Sequence, residues 1–111
     1  MDLTHSSHKN CDLVKVSGRI DTATSDRLEK MLKEIHDGGR YDVVLDMSEV
    51  EFMSSRGFWV LVETQKASKK GDKGLLVLAA VPDKIKESLE LVGMSEYFTV
   101  YDDVVGAVGS F

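Results

Sequence analysis

Two adjacent serines, Ser54 and Ser55, occupy the position where the sequence best supports a chemical role. Arg56, Gly57 and an apolar run beginning at Phe58 come directly after them. A serine in this position is expected to cap the N-terminus of a helix with its side-chain oxygen. Because a helix N-terminus carries free N–H groups and the positive end of the dipole, it can also hold a phosphate. The residues leave two interpretations open: capping serines, or a phosphoacceptor whose charge repels a docked partner.

The histidines and the single cysteine give no comparable signal. His5 and His8 are three residues apart, a spacing that can bind metal on a helix, but no acidic or cysteine ligand lies near them, so surface histidines are predicted. His36 falls near the end of the first predicted helix, where the helix dipole favours a protonated imidazole, so a surface histidine is predicted there too. Cys11 is beside Asp12, which raises the pKa of a thiol, so a buried or idle thiol is predicted. No metal and no cofactor are expected.

The carboxylates and glycines also lack a catalytic arrangement. The nine glycines form no phosphate-binding loop and are expected at turns and helix ends. Asp46 ends a predicted buried strand, at an edge where α/β sheets bind ligands. It is equally explained as a turn residue that accepts from the amides of Ser48 or Glu49. Since spacing yields no nucleophile–base pair, the sequence predicts a protein that is not an enzyme.

Charge and composition limit the classes of partner and the cellular compartment that fit the sequence. The formal net charge of −5 opposes the phosphate backbone of nucleic acid, and a partner with a basic surface fits better. A lone cysteine indicates a reducing compartment. The start of the chain has no signal-peptide core, and no apolar run approaches the roughly 20 residues of a membrane span. The sequence therefore predicts a cytoplasmic protein with no membrane contact.

Strands and helices are predicted to alternate along the chain. Strands are predicted at 13–16, 42–47, 74–79 and 98–101, with burial at 42–47 and 74–79 and a weak edge strand in the first ten residues. Residues 17–19 are expected to follow the first of these strands, and Ser48–Met53 to form a connection. The alternation indicates a mainly parallel sheet with right-handed crossovers.

Four helices fall between or after these strands. The first is predicted from the spacing of Leu28, Met31, Leu32 and Ile35, with cap oxygens at Asp21, Thr22 and Thr24 and an end at Gly38-Gly39. The second opens at the serine pair and ends at Gly71, the third starts at Pro82, and the last follows Asp102 or Asp103. Trp59 is predicted to be a core residue of the second helix, with a place on a docking face as the alternative.

Four segments resemble the STAS family of bacterial anti-sigma-factor antagonists. Val16–Asp21 is similar to the opening "V-x-G-x-[IL]-D", and Tyr41–Met53 is similar to the central "V-x-D-[LM]-S-x-V-x-[FY]-[MI]" strand. Ser54–Gly57 occupies the place of the "D-S-[ST]-G" signature. Leu89–Met94, with Phe98, resembles the late "L-x-[LI]-x-G-[LM]…[FI]" stretch. The order and spacing of the four segments favour one STAS domain over 1–111, with a recognisable core at about 13–107.

The resemblance implies an α/β fold with a mixed, mainly parallel sheet of four to five strands and about four helices packed largely on one side. It implies that the unphosphorylated protein binds an anti-sigma factor with serine kinase activity and so releases a sigma factor. Phosphorylation ends the binding, and a serine phosphatase resets it. Aligned on Gly57, the acceptor is Ser55, with Ser54 as the second candidate. The implied partner-binding residues are Asp21, Thr22, Ser54, Ser55, Arg56 and Gly57.

The sequence departs from this family pattern at the acceptor. Ser54 replaces the acid that precedes the acceptor, and Arg56 replaces the usual serine or threonine after it. Arg56 could pair with a phosphate on Ser55 or with an acidic partner. Two other functions stay open: a STAS interaction or scaffold domain without a working switch, and a small nucleotide-binding α/β protein, although no phosphate loop is present.

Overall fold

A computed structural model describes residues 1–111. The strands are β1 (Asp2–Ser7), β2 (Asp12–Ile20), β3 (Val43–Met53), β4 (Leu76–Ala79) and β5 (Thr99–Tyr101). The helices are α1 (Thr22–Asp37), α2 (Ser55–Lys69), α3 (Asp83–Leu91) and α4 (Val104–Gly109). Short 3-10 turns follow α2 and precede β5. None of the helices combines the length and apolar composition needed to cross a membrane.

The five strands form one mixed sheet in the order β1-β2-β3-β4-β5. β1 is antiparallel to β2, and β2 to β5 are mutually parallel. The predicted α/β fold with a mainly parallel sheet is therefore confirmed, and the first ten residues do supply an edge strand.

The predicted ends of two strands are wrong. β2 continues beyond the predicted 13–16 to Ile20, and β3 continues through the expected connection to Met53. The added residues of β2 pair with the added residues of β3. Because β3 has more residues in this stretch than β2, two bulges in the ladder accommodate them. Gly18 sits in the bulged stretch with φ of 85°, a conformation that favours glycine.

Asp46 lies within β3, next to the first bulge. It therefore does not end the strand as predicted. Its Oδ1 accepts a hydrogen bond from the Ser48 amide at 3.0 Å. Since a bulge leaves backbone groups outside the ladder, this carboxylate satisfies one of them. Of the two interpretations that the sequence left open, the turn-type contact is the one that the structure shows.

Helices cover both faces of the sheet unequally. α1, α2 and α3 cover one face and contribute the larger core, which includes Leu28, Leu61 and Leu89. α4 packs on the opposite face through Ala107, in a smaller cluster that contains Cys11. The prediction of helices largely on one side is confirmed. Burial raises the pKa of the Cys11 thiol, and the neighbouring Asp12 raises it further.

His36 is buried, so the prediction of a surface histidine is wrong. Its Nε2 lies 2.9 Å from Oγ of Ser68 on α2, and its ring stacks on Tyr41. Burial lowers the pKa of His36 and favours the neutral imidazole. The residue faces α2 because α1 and α2 pack side by side on this sheet face. The helical periodicity of α1 alone does not show that second neighbour.

We expect Gly74→Ala to lower the free energy of unfolding by about 2 kcal/mol. A Cβ at this position would lie 2.5 Å from the backbone carbonyl carbon of Tyr41 and 2.6 Å from its oxygen. Both are main-chain atoms next to Asp42, whose side chain holds the amide of Leu75. Urea denaturation measures the change. Gly109→Ala is the control, since nothing lies within 4 Å of its added Cβ. Equal stability of the two variants would contradict the close approach.

Candidate functional site

The candidate site lies where β2 and β3 end side by side. Ile20 and Met53, the last residues of these parallel strands, are paired in the ladder. The amide of Ser54 then donates to the carbonyl of Ile20 at 2.8 Å. This bond holds together the two segments that open α1 and α2. The predicted partner-binding residues of both segments therefore meet at one edge of the sheet.

Asp21 is the N-cap of α1. Its side chain accepts from the Thr24 amide at 2.9 Å, and the Thr24 hydroxyl accepts from the Asp21 amide, which together form a capping box. The Thr24 amide is the main cause of a lowered pKa at Asp21, and the Thr24 hydroxyl adds to it. Thr22 is the first residue of α1 and is exposed. The loop therefore has a fixed conformation and an accessible hydroxyl.

The two serines have different environments. Ser54 is the N-cap of α2, and its Oγ accepts from the Gly57 amide at 3.2 Å. Ser55 is the first residue of the helix and is exposed. Its hydroxyl is not the one that caps the helix. The structure thus separates the two interpretations of the pair: one serine caps, and the other presents a hydroxyl to solvent beside the helix N-terminus.

Gly57 lets α2 approach the ends of the strands closely. A Cβ at this position would lie 3.0 Å from the side chains of both Ile20 and Met53. This spacing is tighter than an ordinary van der Waals contact. The glycine therefore positions the first turn of α2, and with it Ser55, directly over the β2–β3 edge.

Arg56 connects α2 to α1. Its Nη2 lies 3.1 Å from Oδ1 of Asp26 and 3.1 Å from Oε1 of Glu29. The hydrogen bond to Asp26 and the charge of Glu29 raise the pKa of the guanidinium. Both contacts use the same nitrogen, and the side chain is partly exposed. In this structure Arg56 is therefore engaged within the chain through one of its guanidinium nitrogens.

Two aromatic side chains within four residues of Ser55 in the sequence are exposed. Trp59, one helical turn further along α2, has 50% of its surface exposed, and Phe52 has 38%. The guanidinium of Arg19 lies 4.3 Å from the centre of the Phe52 ring. The prediction that Trp59 is a core residue is wrong, because α2 packs through Phe58 and the residues in register with it. The i,i+4 spacing of Ser55 and Trp59 was the signal that places both on one face.

His5 and His8, three residues apart in the sequence, have separate contacts in the structure. His5 Nε2 lies 2.7 Å from Asp12 Oδ2, whereas His8 Nε2 contacts the hydroxyl of Ser6. Both residues are exposed, so the prediction of surface histidines is confirmed at these two positions. No group of three histidine, cysteine or acidic side chains is arranged to hold a metal ion.

A family model described as the STAS domain matches residues 4–107 of the chain. The chain belongs to the STAS family. An anti-sigma-B factor antagonist of Staphylococcus aureus is 33% identical over 87 residues, which cover 78% of this chain and 80% of that protein. The corresponding Staphylococcus epidermidis protein is 31% identical and covers 85% and 86%.

Solved structures give the same family and fold. An anti-sigma factor antagonist from Mycobacterium paratuberculosis superimposes with a TM-score of 0.87, at 26% identity, over 98% of this STAS chain and 92% of its own. The phosphorylated form of the Bacillus cell fate determinant superimposes with a TM-score of 0.77 over 98% of each chain. At 9% identity, this second likeness is one of fold.

Proposed function

We propose that this STAS protein is an anti-sigma-factor antagonist whose binding is ended by phosphorylation of Ser55. The observation that carries the proposal is the exposed Ser55 hydroxyl at the first position of α2, beside a helix cap already supplied by Ser54. The names of the staphylococcal relatives support the antagonist role. The partner is an anti-sigma factor with serine kinase activity, and a serine phosphatase restores the unmodified form. All three are expected in the cytoplasm.

A phosphate on Ser55 acts through its charge. It adds roughly −1.5 to −2 charges at neutral pH, and the free N–H groups at the start of α2 can stabilise it. The same charge then lies on the surface that carries Trp59. A partner that covers this aromatic ring would bury the phosphate or face it at short range, and both are unfavourable. The switch needs no large rearrangement of the fold.

Ser54 is the weaker candidate acceptor. Its oxygen accepts a hydrogen bond from the Gly57 amide and so caps α2, and loss of a serine cap lowers helix stability by about 1 kcal/mol. A kinase would have to withdraw this side chain from the helix before it could modify it. Ser55 carries no such constraint, which is why we assign the phosphate there.

Arg56 and the Asp21 loop supply the surrounding contacts of the proposed interface. The guanidinium nitrogens of Arg56 that do not contact α1 are available to bind an acidic group of the partner or the Ser55 phosphate. Asp21 and the exposed Thr22 follow the end of β2. The hydrogen bond from the Ser54 amide to the Ile20 carbonyl keeps this segment beside the start of α2. Gly57 contributes because its lack of a side chain lets the first turn of α2 lie close to Ile20 and Met53 at the ends of β2 and β3.

The proposal is tested by incubating the chain with ATP and each candidate anti-sigma kinase, and then mapping the modified residue by mass spectrometry. We expect one phosphate on Ser55, none on Ser55→Ala, and an unchanged product with Ser54→Ala. The modified chain should bind the anti-sigma factor at least tenfold more weakly, which calorimetry measures. A phosphate on Ser54 would contradict the assignment of the acceptor.

A STAS interaction domain without a switch is the second candidate function. The observation that favours it is the replacement of the family's acid by Ser54. In that case the same experiment shows tight binding to a partner and no phosphate under any condition. Binding of ATP by the isolated chain would instead favour the nucleotide-binding alternative.

A further inference from the structure

A second exposed apolar surface lies at the opposite end of the molecule from Ser55. α3 starts beyond the carboxyl end of β4 and returns to the edge where β5 begins. Its end and the turn after it expose Leu91, Val92 and Tyr97, with 87%, 52% and 44% of their surfaces accessible. We name these three side chains the α3-end patch.

The core does not require the α3-end patch. Leu89 and Phe98 are buried on either side of it, and Met94 packs against the same core. The patch residues are therefore additional apolar groups that the fold leaves in water. Contiguous exposed apolar groups with a polar rim are typical of interaction sites.

Backbone hydrogen bonds hold the α3-end patch in one conformation. The amides of Val92, Gly93 and Met94 donate to carbonyls of α3, and Gly93 takes φ of 74°, which favours glycine. The buried side chain of Gln65 donates to the carbonyl of Tyr97 at 2.8 Å. A surface ordered before binding loses less conformational entropy when a partner docks.

The segment that carries the α3-end patch is acidic. Residues 87–97 include Glu87, Glu90 and Glu96 and no lysine or arginine, and the two lysines of α3, Lys84 and Lys86, precede this segment. None of the three carboxylates takes part in an ion pair of the structure. Shallow concavities lie beside the apolar side chains, one lined by Glu87, Glu90 and Leu91 and another by Gly93, Glu96 and Tyr97. Apolar contacts and cation-binding carboxylates thus occur on the same small surface.

We propose that the α3-end patch binds a cationic amphipathic helix of a protein partner. Leucine-type side chains of such a helix would cover Leu91 and Val92, and its lysines or arginines would pair with the three glutamates. Because Ser55 lies at the other edge of the sheet, this contact is independent of the phosphorylation state. The chain can then hold two partners at once, one at each end.

The test is an NMR titration of the labelled chain with an 18-residue helical peptide of leucine and lysine that has one apolar face. We expect shift changes concentrated in 87–97 and about tenfold weaker binding for Leu91→Ser, with a similar loss for Glu87→Gln combined with Glu90→Gln and Glu96→Gln. Val105→Ser is the matched control, because Val105 is 83% exposed on α4, and it should leave the affinity unchanged.

Three results would overturn the proposal. The first is a shift pattern centred on Phe52 and Trp59, since the peptide would then prefer the other surface. The second is an equal loss of affinity in Leu91→Ser and Val105→Ser, or equal binding of a peptide with glutamate in place of lysine. The third is shifts in 87–97 that follow chain concentration without peptide, because a second copy of the chain would then cover the patch. The Ser55 phosphate assay is unaffected by any of these.

Discussion

Replacing Arg40 by alanine is expected to lower the free energy of unfolding by about 3 kcal/mol. Arg40 follows α1, and its Nε donates to Oδ1 of Asp12 at 2.8 Å. Its Nη2 donates to the backbone carbonyls of His8 and Cys11. One side chain therefore connects the end of α1 to the turn between β1 and β2.

The size of the expected effect comes from Asp12. This carboxylate is 2% exposed, so it has lost nearly all of its water. Besides Arg40, only His5 at 2.7 Å and the Ser7 hydroxyl at 3.3 Å bind its oxygens. Removing one partner of a buried ion pair costs about 3 to 5 kcal/mol, because the remaining charge is uncompensated. We expect the lower end, since Arg40 itself is 39% exposed and two partners remain.

The effect should depend on pH in a defined direction. Burial raises the pKa of the Asp12 carboxyl, but the hydrogen bonds from His5 and Arg40 outweigh it, and the pKa lies below its ordinary value. A lowered pKa in the folded state stabilises the protein above the unfolded-state pKa of about 4, and this is lost as the pH falls further. Arg40→Ala removes the hydrogen bond and the charge of Arg40, two of the causes that lower this pKa, so the variant gains less stability from the ionised Asp12. The stability difference is therefore largest near neutral pH and narrows below about pH 4.

Urea denaturation at several pH values measures this prediction. The matched control is Arg27→Ala, because Arg27 makes a single exposed hydrogen bond to the carbonyl of Met1. Its stability should change by less than about 0.5 kcal/mol. An Arg40→Ala protein as stable as this control, or a stability difference that grows in acid, would contradict the role assigned to the buried carboxylate.

This cluster also shows what the sequence could not predict. His5, Asp12 and Arg40 are separated along the chain, and each is flanked in the sequence by polar residues typical of a protein surface. Only the pairing of β1 with β2 and the end of α1 bring them together. Periodicity predicts which side of an element faces the core, but it does not predict polar contacts between elements. The burial of His36 against Ser68 was missed for the same reason.

Where local chemistry determines the structure, the sequence was sufficient. The two helix starts were predicted with several possible caps each, Asp21, Thr22 or Thr24 for α1 and either serine for α2. The structure shows that Asp21 and Ser54 are the caps. The bulges that extend β3 were not predicted, because residues 48–53 mix exposed and buried positions without a strict alternation. The separation of Ser54 from Ser55 needed the structure, since either serine satisfies the sequence rule for an N-cap.

Trp59→Ala is expected to weaken binding to the anti-sigma factor about 100-fold, with little change in stability. Half of the ring surface is exposed, so the fold gains little from it. Tryptophan is among the residues that contribute most at protein interfaces, where truncation commonly costs 2 kcal/mol or more. A loss of about 2.7 kcal/mol corresponds to the hundredfold change. The prediction rests on the proposed docking surface around Ser55.

Trp59 is the only tryptophan of the chain, so its fluorescence can report the contact directly. Its emission should shift to shorter wavelength when an anti-sigma factor lacking tryptophan covers the ring, and phosphorylation of Ser55 should abolish the shift. Tyr97→Ala is the matched control, because Tyr97 is a comparably exposed aromatic at the opposite edge. Full affinity in Trp59→Ala, or an equal loss in Tyr97→Ala, would place the docking surface elsewhere. Since Ser55 and Trp59 share one face of α2, we expect a partner whose binding depends on the Ser55 phosphate to contact the Trp59 ring as well.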